Sequence, residues 1–394
     1  MEIKNDFLKD NFSIIFNRKL IFGIGKIKTL NPLIKEYSYP VLFILSRSFQ
    51  KSERWIRIKE NLEKDKIKFY EEGVSGEPNI ETIDRLSQTY REMEVKLIVS
   101  IGGGSAIDTG KALSSMLLEE GSIADYLEVV GTKKPTGSKK PFISVPTTAG
   151  TGSEATKNAV ISKVGENGFK KSIRHDNLVP DSVILDPELL KDLPIPSRIP
   201  SALDALSQLI ESYTSLKSNL LTDTLCEKAF YLLGKSIKNY LSGETEIEYL
   251  SNMLISSYIS GFSLANAGLG VIHGFASTIG GLFNIPHGVI CGKLLYPSVI
   301  KNIQILQKED NSYLLSKFAK VGNLLNGEYS DSKEGITKLI KFLEEINKLY
   351  KINNFSYYGI TPKDIEKIVS NTSIKENPVK LNKEDLIEIL KEVI

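Results

Sequence analysis

Short runs of β-branched and aromatic residues alternate with stretches of helical period through the first half of the chain. Phe12–Ile24 reads as a pair of strands, Val41–Leu45 (VLFIL) as a buried strand and Ile80–Glu94 as an amphipathic helix. Val95–Ile101 (VKLIVSI) is a second buried strand and Phe142–Pro146 a third. Strand, helix, strand in this rhythm predicts a parallel sheet with crossover helices. The pattern changes after about Pro194, where PIPSRIP marks a break. From Ser201 onward the periodic segments repeat at helical spacing: Asp204–Ser215, Leu221–Tyr240, Glu246–Ala267 and Ser332–Leu349. Helical periodicity persists through Thr361–Ile394, so no disordered tail is expected. The prediction is an α/β domain over residues 1–195 followed by an all-α domain over residues 196–394.

From Tyr249 to Gly292 there is no Asp, Glu, Lys or Arg. A run of about 20 uncharged residues is long enough to cross a bilayer. This one carries many Ser, Gly and Asn and two histidines, which are costly in lipid, so it is expected to form helices buried in the protein. Histidines in an uncharged interior are candidates for chemistry.

Composition narrows the picture. A chain of 394 residues exceeds the roughly 250–300 at which a single core stops growing, in keeping with two domains. Charged residues make up 25% and hydrophobic ones 41%, and 50 Lys+Arg against 48 Asp+Glu leave a net charge of +2. That balance argues against nucleic acid or an anionic membrane as partner. Cys226 and Cys291 cannot build a disulfide framework, and neither lies in a CxxC pair, so a reducing cytoplasm is the expected home. The N-terminal MEIKNDFLKDNFSIIFNRKL breaks its apolar run with charges and lacks a small-residue cleavage site, so no targeting segment is expected.

The strand VKLIVSI runs into Gly102-Gly103-Gly104-Ser105 and then a helical pattern. Glycines clear the way for backbone N–H groups to approach a ligand, and a helix N-terminus adds free donors and a positive dipole end, a seat for a diphosphate. Ser105 and Asp108 also have capping-box spacing, which would make the segment a tight turn with a capped helix. A second loop, Pro146-Thr147-Thr148-Ala149-Gly150-Thr151-Gly152-Ser153-Glu154, follows the third apolar strand. Its composition suits plain turn chemistry, but two such loops after two parallel strands emerge at the same sheet edge, where open α/β sheets bind ligands.

GGGSAIDTGKAL and PTTAGTGSEAT, then DALSQLIESYTS, then NAGLGVIHG and NIPHG, resemble the iron-containing (group III, metal-dependent) alcohol dehydrogenase family over roughly residues 10–300 and in its order. The resemblance implies a Rossmann-like dinucleotide-binding domain, an all-α C-terminal domain, a dehydroquinate synthase-like architecture, and hydride transfer in the cleft between the domains. It implies cofactor contacts at Gly102, Gly103, Gly104, Ser105, Asp108, Thr147, Thr148, Thr151 and Asn158, with Asn79 and Lys171 as further contacts. It also implies one divalent ion, iron or zinc, held at positions matching Asp204, 208, His273 and His287, with a small alcohol or carbonyl compound as substrate and a homodimer pairing edge strands such as Phe12–Ile24.

Asp204 and position 208 lie one helical turn apart, which lets two side chains reach one ion, and a carboxylate with imidazoles suits iron(II) or zinc. The family normally has histidine at 208; here it is Gln208, a neutral and weaker ligand. At Ser277, four residues after His273, the family commonly has a second histidine. A hydroxyl relays a proton but is no base near neutral pH. The third histidine, His175, lies among charged residues and is expected at the surface or a cleft rim. The family's acidic position that meets the adenosine ribose aligns with Ser46, followed by Arg47 and Ser48. A small hydroxyl beside a cation admits a 2′-phosphate, which favours NADP(H) over NAD(H). The expected activity is NAD(P)-dependent interconversion of an alcohol with an aldehyde or ketone. The alternatives are a dehydroquinate synthase-like lyase, or a metal-free or non-catalytic dinucleotide-binding descendant.

Overall fold

The computed structural model describes residues 11–394. Two compact units divide them: residues 16–193, and residues 194–394 together with 11–15. The first unit runs β1 (Lys19–Phe22), α1 (Leu30–Ile34), β2 (Val41–Ser46), α2 (Arg47–Gln50), α3 (Glu53–Lys64), β3 (Phe69–Val74) and α4 (Ile80–Glu92). It continues with β4 (Leu97–Gly102), α5 (Gly104–Met116), β5 (Phe142–Pro146), β6 (Asn158–Lys163), β7 (Phe169–Arg174) and β8 (Ser182–Leu185). Six strands pair in parallel in the order β1-β8-β5-β4-β2-β3, while β6 and β7 form an antiparallel hairpin.

The apolar runs are strands buried on both faces. In β2, Val41, Phe43 and Leu45 pack with Trp55, Ile58 and Leu62 of α3, while Leu42 and Ile44 face Ile83 and Leu86 of α4 and Ile107 and Leu113 of α5. Successive side chains point to opposite faces, so only a continuous apolar run satisfies both layers. From β2 the chain goes outward to β3, then returns to lay β4 on the other side of β2. The strand order reverses there, and Ser46 and Gly102 end the two strands that flank this switch point.

The second unit is helical: α6 (Ile195–Thr214), α7 (Leu220–Ser242), α8 (Ile247–Ala267), α9 (Val271–Leu282), α10 (His287–Lys308), α11 (Ser312–Asn326), α12 (Ser332–Leu349), α13 (Ile365–Asn371) and α14 (Lys383–Lys391). PIPSRIP is the first part of α6 itself, with Pro194 at the N-cap and Pro196 in the first turn, where a missing N–H costs nothing. The uncharged run folds into α8, α9 and the start of α10. The first two of these meet at 96°, at a break where Gly268 adopts φ 76°. Among the described residues no single helix is long and apolar enough to cross a membrane.

Two expectations change. Phe12–Ile24 is not a pair of strands: only Lys19–Phe22 is a strand, at the sheet edge, and among the described residues no hairpin closes on it. Upstream, the Ile15 amide donates to Asn266 Oδ1 at 2.8 Å, and Asn266 Nδ2 donates back to the Ile15 carbonyl at 3.2 Å, so α8 takes up the backbone groups a partner strand would need. The hairpin β6–β7, β3 and β8 were not anticipated. Residues 1–10 of the stretch read for a targeting signal lie outside the described residues.

Candidate active site

Helix α6 carries Asp204, Gln208 and Glu211 at i, i+4 and i+7, on one face. His273 stands in the first turn of α9, and α10 opens at His287, with Cys291 one turn further on. These helices bring one donor atom each from Asp204, His273, His287 and Cys291 within 4.8 Å of one another. Asp204 Oδ1 faces His273 Nε2 at 3.3 Å and His287 Nε2 at 3.7 Å. Cys291 Sγ lies 3.7 Å from His273 Nε2 and 3.6 Å from His287 Nε2. Asp204 Oδ1 is buried and takes no hydrogen bond from the described residues.

Behind His273, Nδ1 lies 2.7 Å from Glu211 Oε2, and Glu211 Oε1 accepts from the Ile272 amide at 2.6 Å. A carboxylate on the far nitrogen fixes the tautomer and turns the near nitrogen toward an ion. Burial opposes charge on His273, but Cys291, Asp204 and Glu211 outweigh it and hold its pKa well above the usual histidine value. Burial likewise pushes Asp204 up, and the imidazoles of His287 and His273 overcome this and bring it below the carboxylate range. Gln208 is buried one turn along α6, where its Oε1 accepts from Ser260 Oγ at 2.7 Å. Ser277 is half-buried on α9, one turn after His273.

In the α/β unit the two loops touch. The Thr147 amide donates to the Gly102 carbonyl at 2.9 Å. A Cβ on Gly103 would lie 3.2 Å from Thr148 Cγ2, and one on Gly104 only 2.6 Å from Thr151 Oγ1. Gly103 is the N-cap of α5, and no side chain caps that helix. The capping box read from Ser105 and Asp108 does not form, because Asp108 is drawn elsewhere: Oδ1 accepts from Ser153 Oγ and Oδ2 from the Val160 amide at 3.0 Å. Lys111 is fully buried and donates to the Ser153 carbonyl at 2.7 Å, Thr156 Oγ1 at 2.7 Å and the Asn158 carbonyl at 2.8 Å. Ser46 caps α2 by accepting from the Phe49 amide at 3.4 Å, beside an exposed Arg47.

Residues 17–187 match the family described as "Iron-containing alcohol dehydrogenase", and residues 198–394 match "Fe-containing alcohol dehydrogenase family, C-terminal". The chain belongs to the iron-containing alcohol dehydrogenase family. It is 31% identical over 320 residues to "Alcohol dehydrogenase 4" of Saccharomyces cerevisiae, covering 80% of each chain. It is 30% identical over 312 residues to the "NAD-dependent methanol dehydrogenase" of Bacillus methanolicus, covering 77% of this chain and 79% of that one. Among solved structures, the alcohol dehydrogenase from Oenococcus oeni superposes with a TM-score of 0.86 at 25% identity, covering 98% of this chain and 100% of that one.

As a member of the iron-containing alcohol dehydrogenase family the chain is an oxidoreductase acting on CH–OH groups with NAD(P), in a family that uses a divalent metal, typically iron. A buried carboxylate oxygen left unbonded, two imidazoles and a thiol aimed at one point are a fitting cage for such an ion. Of the sequence-derived ligands, Asp204, His273 and His287 come together, while Gln208 turns its carbonyl oxygen to Ser260.

Sequence reasoning missed Glu211 and Cys291. The signal was present in both cases: Glu211 continues the i, i+4, i+7 stripe of α6, and Cys291 follows His287 at i+4. Of the remaining residues, Asn79 caps α4 through the Thr82 amide at 2.8 Å. Asn158 Nδ2 donates to Ser172 Oγ at 3.1 Å, and Lys171 is half-buried in β7. His175 caps the short turn at Asp176–Leu178 and accepts from the Asn177 amide at 3.1 Å.

Proposed function

We propose that this dehydrogenase uses NADP(H) and an ion held by Asp204, His273 and His287 to interconvert an alcohol and its aldehyde or ketone. The observation that carries the reading is the buried, unbonded Asp204 Oδ1 facing two imidazoles, one of them braced by Glu211. When bound, the ion supplies Lewis-acid polarisation of the substrate carbonyl. The chain's own groups do the rest. Glu211 keeps the Nδ1 proton on His273 and leaves Nε2 as the donor atom. The Ser277 hydroxyl relays the proton that the substrate oxygen gains or loses. Gly103 and Gly104 let Thr148 and Thr151 of the facing loop close against the uncapped end of α5, whose free amides, with Thr147 nearby, would meet the diphosphate.

Ser46 and Arg47 favour the 2′-phosphate, since no carboxylate stands there to repel it. The exposed apolar edge around β1, with Leu20 at 41% and Phe22 at 43% exposure, supports a homodimer through that strand. Two buried free thiols suit a reducing cytoplasm. The test is ion content and turnover on the same preparation. Chelation should remove both, re-addition should restore both, and His273→Ala should lose both. Turnover that survives complete removal of the ion overturns the reading. A higher kcat/KM with NADPH than with NADH is expected, and the reverse order overturns the cofactor preference.

A further inference from the structure

The two cysteines differ in surroundings. Cys226 is buried in helix packing, where its Sγ meets Ser263 Oγ at 3.1 Å. Cys291 is equally buried but sits against two imidazoles and a carboxylate. A thiol in that company is placed as a ligand and not as a small hydrophobe. We propose that Cys291 is the fourth protein ligand of the ion, a thiolate joining Asp204, His273 and His287, and that this set selects zinc over iron. This rests on the reading that the site binds an ion.

Four of the donor–donor distances match edges of a tetrahedron. With nitrogen and oxygen ligands at about 2.0–2.1 Å and sulfur at about 2.3 Å, zinc requires oxygen–nitrogen edges of about 3.3 Å and sulfur–nitrogen edges of about 3.6 Å. The oxygen–nitrogen edges here are 3.3 and 3.7 Å, and the sulfur–nitrogen edges are 3.7 and 3.6 Å. Sequence spacing agrees, since His287 and Cys291 lie one turn apart on α10 as Asp204 and Gln208 do on α6. Gln208 Oε1 already accepts from Ser260, so the position left weak on α6 is made up from α10. A soft thiolate with imidazoles in tetrahedral array is a zinc set, whereas carboxylate and imidazole without sulfur suit iron(II) as well. Cysteine binds an ion as the thiolate, so coordination would release the Sγ proton to solvent. With these four residues holding the ion, a substrate oxygen would enter as an added donor, an expansion that some catalytic zinc sites make.

The test replaces the resident ion with cobalt(II) in the full chain and records the near-ultraviolet and visible spectrum. About one cobalt per chain is expected, with an intense sulfur-to-cobalt charge-transfer band and the strong visible bands of a tetrahedral site. The band should vanish in Cys291→Ser and persist in Cys226→Ser and Gln208→Ala. Zinc affinity, read by competition with a chromophoric chelator, should fall at least about tenfold in Cys291→Ser. The wild-type spectrum decides the matter without relying on a variant that must fold. Stoichiometric cobalt without a charge-transfer band overturns the thiolate ligand and leaves an ion-dependent enzyme standing. A band that survives Cys291→Ser also overturns it. Failure to bind cobalt at all overturns both this inference and the ion-dependent reading beneath it.

Discussion

Glu211 touches no proposed substrate or cofactor group, yet it joins His273 Nδ1 to the amide at the start of α9. Glu211→Gln keeps the size but removes the charge that favours Nε2 as a donor. We expect ion affinity to drop about 10- to 100-fold, as for other outer partners of ligating histidines, measured by chelator competition. Glu154, in the second loop, makes a different prediction. Burial pushes its carboxyl from the ordinary 4.5 up to about 7. The folded chain therefore keeps that proton where the unfolded chain has released it, and stability falls as pH rises from about 4.5 to about 7. The loss amounts to about 3 kcal/mol on full ionisation, and Glu154→Gln should remove it. Urea unfolding of both proteins at pH 5 and pH 8 reads the difference directly. Neither Glu211 nor Cys291 stands out in the sequence, because a lone glutamate or cysteine carries no ligand pattern of its own. Their own signal was helical spacing, which becomes meaningful only once the facing helices are known.

Legibility at the scale of elements followed burial. β2, β4 and β5 were readable because both faces are covered and the sequence is apolar throughout. β3 (FYEEGV) was not, because Glu71 and Glu72 break the pattern: they accept from Trp55 Nε1 and from the Tyr90 hydroxyl, each at 2.7 Å. The hairpin strands NAVISK and FKKSIR are short and partly polar, as two-stranded ribbons can be. The glycines of the first loop were legible in type, but their reason lies in the second loop. Gly104→Ala would drive a Cβ to 2.6 Å from Thr151 Oγ1 and 2.7 Å from its Cγ2. We expect this to cost about 1–3 kcal/mol of stability and to weaken NAD(P)H binding, followed by thermal unfolding and by quenching of cofactor fluorescence.

For the whole molecule, the sequence conveyed the order of a parallel α/β part and then a helical part, because the hydrophobic period switches from that of strands to that of helices. It did not convey that residues 11–15 group with the helical unit, where Asn266 bonds the Ile15 backbone. Assembly belongs to this scale. If β1 pairs with a second copy, a charge at Leu20 should shift the protein from dimer toward monomer in sedimentation velocity while leaving ion content unchanged. A wild-type monomer at micromolar concentration overturns the edge-strand dimer.

Lys111 reaches from within α5 to three oxygens of the segment between residues 153 and 158, and Asp108 on the same helix holds the Val160 amide. Through these bonds the short turn ahead of β6, and Val160 within β6, are tied to α5. In hydrogen–deuterium exchange the Val160 amide should stay protected as long as the amides in the middle of α5, and Lys111→Met should release it early while α5 itself remains slow. The loop would then behave as part of the scaffold, one cooperative unit with the helix beside it, and the second wall of the cofactor site would already be in position before any ligand arrives.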